Sequence, residues 1–170
     1  LYNEVEQLAH SLRELGVKKG DRVAGFIPNM PQAIIAMLAT ASIGAIWSSS
    51  SPDFGIKGVL DRFTQIEPKV IFAANGYYYN GKSFDSLDKL SNILKSLPSI
   101  EKVIIVGYSE NKPQVSHIDN AVHYSEFLST SPEPLIFEQL PFDHPLYIMY
   151  SSGTTGLPKS IVHSAGGTLI

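Results

Sequence analysis

Leu146-Tyr147-Ile148-Met149-Tyr150 leads directly into Ser151-Ser152-Gly153-Thr154-Thr155-Gly156-Leu157-Pro158-Lys159-Ser160, followed by Ile161-Val162-His163. Five residues alternating aliphatic and aromatic predict a buried strand. Behind it stand two glycines three apart, the hydroxyls of Ser151, Ser152, Thr154 and Thr155, and Lys159. Glycine lets the backbone approach a ligand and turn its N–H groups toward it, the hydroxyls donate, and the lysine adds a mobile point charge. Such a set can wrap phosphate oxygens. A Ser/Gly/Thr/Pro cluster after a strand is in general a surface turn; the order of residues sets this one apart. A Walker A loop needs four residues between its glycines and ends in Gly-Lys-Ser/Thr. Here only Thr154 and Thr155 separate the glycines and Pro158 precedes the lysine, which excludes a P-loop NTPase.

The ten residues instead resemble the signature loop of the adenylate-forming superfamily of acyl-CoA synthetases, luciferases and peptide-synthetase adenylation domains, usually written Tyr-Thr-Ser-Gly-Thr-Thr-Gly-x-Pro-Lys-Gly. Tyr150, Ser152, Gly153, Thr154, Thr155, Gly156, Pro158 and Lys159 match it. Ser151 stands where Thr is usual and keeps the hydroxyl. Ser160 replaces the usual Gly, so no positive φ is expected there. Ser160 to Leu169, the Gly44 to Gly55 stretch and Gly76-Tyr77-Tyr78-Tyr79-Asn80-Gly81-Lys82 are similar to the acetoacetate-activating branch. The resemblance covers Leu1 to Ile170.

That resemblance implies a largely parallel α/β sheet flanked by helices, with residues 1–170 forming part of a large N-terminal AMP-binding domain. It implies ATP, Mg2+ and coenzyme A as cofactor and co-substrates and acetoacetate as the acid. Ser151, Ser152, Gly153, Thr154, Thr155, Gly156 and Lys159 would grip the phosphates, and Lys159 would act catalytically on the departing pyrophosphate. No metal ligand is expected from this stretch, because ATP would bring most of the Mg2+ ligands. The acidic motif near the metal, the Asp that holds the ribose, the hinge and the lysine of the C-terminal domain would all lie beyond Ile170, so these residues alone are not expected to catalyse the reaction. Other short-chain acyl-CoA synthetases, and a non-catalytic adenylation-like scaffold, remain as alternatives.

Composition narrows the classes further. With 170 residues the chain is one domain or part of one. It has no cysteine and no Asn-x-Ser/Thr site, which argues against a disulfide-stapled secreted protein and fits a cytosolic one. Lys and Arg number 13 against 16 acidic residues, net −3, leaving no basic footprint for nucleic acid. The most apolar stretch, Ala33 to Trp47, is shorter than the roughly 17–25 residues of a membrane span. Charged residues make up 17%, below the roughly 25% of soluble domains, so some apolar surface is expected to face further protein. The apolar period beginning at Leu1 and the ending Thr168-Leu169-Ile170 carry no cap or stop signal, and both point to an excerpt of a longer enzyme.

Helices and strands are expected to alternate. Leu1, Val5, Leu8, Ala9, Leu12 and Leu15 share a helical face that Gly16 would close. A strand follows over Arg22 to Ile27, a helix from Pro31 to about Ile43, and a strand over Ala45 to Ser48. Asp53 would cap a helix over Gly55 to Ile66. A strand over Lys69 to Ala74, a helix over Phe84 to Leu97 and a strand over Lys102 to Val106 complete the regular part. Asp119 to Ser131 reads as a short strand and a helical piece, and Ser131 to Pro145 as a connector. Short apolar strands separated by helices mean a largely parallel sheet.

The remaining candidates are weaker. His10, His117, His123, His144 and His163 lack metal-ligand spacing. His163 reads either as a residue near the acyl or nucleotide pocket or as a strand-end side chain satisfied by backbone. Trp47 reads as a packed side chain beside a Ser-rich turn, or as the wall of an acyl- or CoA-facing surface. Tyr77 to Tyr79 read as loop aromatics.

Overall fold

The structure is a computed structural model that describes residues 1–152 and 156–170. In chain order the elements are α1 (Tyr2–Glu14), β1 (Arg22–Phe26), α2 (Pro31–Ser42), β2 (Ile46–Ser50), α3 (Ile56–Phe63), β3 (Val70–Ala74), β4 (Gly76–Tyr79), β5 (Lys82–Asp85), α4 (Leu87–Leu94), β6 (Lys102–Val106), β7 (Ala121–His123), α5 (Tyr124–Phe127), β8 (Pro145–Ser151), β9 (Lys159–Ser164) and α6 (Ala165–Leu169). Seven strands form one sheet in the order β7-β6-β3-β1-β2-β8-β9. All neighbours run parallel except β8 and β9, which form an antiparallel hairpin. The expected largely parallel α/β sheet is thus what the chain forms.

A parallel sheet is covered on both faces, so its central strands are apolar throughout. In β3 all five residues are buried. Val70, Phe72 and Ala74 join one core with Val5, Leu8 and Leu12 of α1 and Ile35, Ala36 and Ala39 of α2. Ile71 and Ala73 join the other, with Val59 and Phe63 of α3 and Leu90 and Ile93 of α4. Trp47 lies in the first core at 5% exposure, its ring centroid 6.2 Å from that of Phe72. Room for the indole comes from β1, where a Cβ built on Gly25 would stand 2.8 Å from the ring. No helix among the described residues is long and apolar enough to cross a membrane.

Three local expectations fail. Asp53 caps no helix: α3 begins at Ile56 with Gly55 at the N-cap and no side-chain cap bond. Residues 51–54 close a turn instead, with Phe54 N–H donating to Ser51 O. The charge of Asp53 acts on Lys89, whose amine is held below its usual pKa by burial, an effect Asp53 opposes. Tyr77 to Tyr79 are not loop aromatics but lie in or beside hairpin strand β4, paired with β5 across Asn80-Gly81, both at positive φ. Phe84 therefore belongs to β5 and stacks on Tyr77 at 5.2 Å, and the helix starts only at Leu87. Third, β2 runs past the expected Ser48, so Ser49 and Ser50 are strand residues and not a turn.

The connector after α5 is laid across the α1 and α2 side. Glu133 N–H donates to His10 Nδ1 at 3.2 Å and Leu135 N–H to Glu6 Oε1 at 2.9 Å. Arg13 donates to Ile136 O at 2.7 Å, and Glu138 N–H to Ser42 O at 2.8 Å. These bonds carry the chain from one edge of the sheet to the other and deliver β8 beside β2.

Candidate phosphate loop and adjoining cleft

Strand β8 pairs with β2 only at Trp47↔Tyr147 and Ser48↔Ile148. The Ser48 hydroxyl closes the contact by donating to Ile148 O at 2.9 Å. Both strands continue past that point unpaired with each other, β2 to Ser50 and β8 to Ser151. Between their carboxyl ends lies a cleft of about 650 Å³, lined by Trp47, Ser49, Ser50, Ser51, Tyr147, Met149 and Tyr150, with Met37, Ile148, Phe54, Arg62 and Thr168 completing its walls. In open α/β sheets the carboxyl ends of strands are where ligands bind. Trp47 is a core side chain that also lines this cleft.

The expected phosphate loop leaves the same strand end. Ser151 is the last residue of β8 and stands opposite Lys159, the first of β9, so the loop spans the mouth of a hairpin. Lys159, Ser152 and Gly156 are exposed, and Gly156 adopts φ +97°. Gly153, Thr154 and Thr155 lie outside the described residues. The hydroxyl of Ser151 and the charge of Lys159 thus share one register position of the hairpin. Ser160 lies within β9 and is not among the positive-φ residues, as its substitution for Gly led us to expect.

Side chains from α3 hold the base of this hairpin. The Tyr150 phenol donates to Arg62 O at 3.0 Å. Burial raises its pKa, against the opposing effects of the Ser48 hydroxyl and the Arg62 charge, which keeps it protonated as that donor. The Arg62 guanidinium lies 4.6 Å from the Phe54 ring centroid and 5.7 Å from that of Tyr150. His163 lies in β9 and stacks on Tyr147, a wall of the cleft, with ring centroids 4.9 Å apart. Among the described residues no group of three or more His, Cys, Asp or Glu could hold a metal ion.

The family model for the AMP-binding enzyme matches residues 1–170. The chain belongs to the AMP-binding enzyme family. Among curated members it is 55% identical over 176 residues to an acetoacetyl-CoA synthetase of Macaca fascicularis and 54% identical over 177 residues to one of Danio rerio. Each match covers 100% of this chain and 26% of the relative. An acetoacetyl-coenzyme A synthetase of Rhizobium meliloti (strain 1021) is 52% identical over 168 residues, 98% of this chain and 26% of its own length. A solved structure, acetoacetyl-CoA synthetase from Streptomyces lividans, superposes with a TM-score of 0.91 at 46% identity, covering 99% of this chain and 25% of that one. The chain spans about a quarter of the length of these relatives.

Sequence reasoning singled out the candidate loop but missed residues that hold its flanks. Arg62 and Gln65 carry no motif signal. Tyr150 is part of the loop signature, yet its bond to the end of α3 depends on how β8 lies over that helix, which pattern alone does not specify.

Proposed function

We propose that these 170 residues form part of the N-terminal AMP-binding domain of a cytosolic ligase that converts acetoacetate to acetoacetyl-CoA at the expense of ATP. In the first step a carboxylate oxygen attacks the α-phosphorus, the bond to the bridging oxygen breaks, and pyrophosphate leaves. In the second, the CoA thiol attacks the acyl carbon, loses its proton, and AMP departs. Negative charge grows on the pyrophosphate in the first step only, so donors already aimed there stabilise the transition state more than the ground state. Ser151, Ser152, Gly153, Thr154, Thr155 and Gly156 would supply hydroxyl and backbone donors, and Lys159 the cation. Mg2+ would arrive with ATP and screen its phosphate charge.

The observation that carries this reading is the placement of Lys159 opposite Ser151 at the mouth of a hairpin, at the strand end that also opens into the cleft. The names of the relatives support acetoacetate as the acid. ATP–pyrophosphate exchange by the full-length protein with acetoacetate, acetate, butyrate and a long-chain acid tests it. Acetoacetate is expected to give the highest specificity constant. A higher value for acetate would move the protein to another short-chain branch, and no exchange with any acid would leave a binding scaffold.

A further inference from the structure

Lys159 is flanked by two residues that are both held by one side chain. Gln65, two residues beyond the end of α3, donates from Nε2 to Pro158 O at 3.0 Å and accepts at Oε1 from the Ser160 hydroxyl at 2.8 Å. Its second amide hydrogen goes to Asp61 O at 2.5 Å. Both hydrogens and the oxygen of the carboxamide are thereby engaged, and a flipped amide would set its oxygen against two carbonyls. Side chains alternate along a strand, so with Ser160 turned to α3, Lys159 is turned to the opposite face. The position opposite Ser160 is Tyr150, whose phenol is bonded to Arg62 O. One cross-strand pair is therefore anchored twice to the end of α3.

We infer that Gln65 is a positioning residue for the phosphate loop, its carboxamide clamping Pro158 and Ser160 so that Lys159 is aimed before ATP arrives. The inference rests on the proposed reading of Lys159 and extends it to a residue far away in sequence. It also gives Ser160, the departure from the superfamily's glycine, a partner: a hydroxyl that glycine would not supply. Holding a donor in place ahead of the reaction raises turnover more than it tightens substrate binding.

A double-substitution cycle in the full-length protein tests this, with Q65A, S160A and the pair. The clamp predicts that Q65A lowers kcat for ATP–pyrophosphate exchange about tenfold, with KM for the acid unchanged. Thioester formation from preformed acyl-adenylate should keep its rate. The pair should lose no more than Q65A alone, since both substitutions break the same bridge. Amide hydrogen exchange across residues 156–162, measured without substrate, should speed up in each variant, with Tm unaltered. Additive losses, equal losses in both half reactions, or unchanged exchange at 156–162 would overturn the clamp. Should the unsubstituted protein activate no acid, the functional reading fails, and hydrogen exchange with its additivity still decides whether the bridge orders the loop.

Discussion

Lys159→Ala is expected to lower acyl-adenylate formation by about two to three orders of magnitude, the size of effect seen when one preorganised donor is taken from a developing negative charge. The thioester-forming half reaction, started from preformed acyl-adenylate, should change little. Lys159 opens β9 opposite Ser151 and is exposed, so its removal breaks no core packing. The asymmetry follows from chemistry, because pyrophosphate has left before the thiol attacks. Stopped assays of the two half reactions measure it, and equal losses would show that Lys159 acts on something common to both steps.

Trp47→Ala carries the largest expected effect on folding. The indole is 5% exposed, packs on Phe72 and occupies the space left by Gly25. Emptying that space removes the transfer free energy of the ring and leaves a hole that rigid β1 and β3 cannot close, together about 3–5 kcal/mol. Urea or guanidinium unfolding of the full-length protein reads the loss as a lower midpoint. Because Trp47 also walls the cleft, specificity for the acid should shift in whatever fraction stays folded. A stability change below about 1 kcal/mol would mean that the site collapses around the missing ring.

The alternation of helix and strand was legible because each unit carries its own signal. The apolar period of Val5, Leu8, Ala9 and Leu12, closed by Gly16 at φ +85°, needs no knowledge of the partner it packs on. The unbroken apolar run of β3 likewise announces a strand covered on both sides. The β4–β5 hairpin was overlooked although Asn80-Gly81 is a strong short-range turn signal. Three consecutive tyrosines have no period of two in polarity, and Phe84 suited the helix that follows as well as the strand it joins. Asp53 is a good capping residue two positions too early for the helix that forms. The candidate loop stood out because its residue types and order suit phosphate binding. The Gln65 bridge did not, because 93 and 95 residues separate its ends.

The pairing of β8 with β2 has a consequence for the order of assembly. Strands β1, β2, β3 and β6 join through short helical crossovers, so each closes a small loop, whereas Ser48 and its partner Ile148 are 100 residues apart. Loop-closure entropy places such a contact late. It is held by only two residue pairs on the β2 side, while β9 on the other side leaves Ile161 and Val162 exposed. The hairpin that carries the candidate loop is thus expected to join the described sheet late. Subglobal opening can detach that hairpin while the α1–β6 scaffold persists, and amides of β8 should exchange ahead of those of β3. The candidate loop thus sits on the segment of this sheet that is joined to the rest by the longest closure.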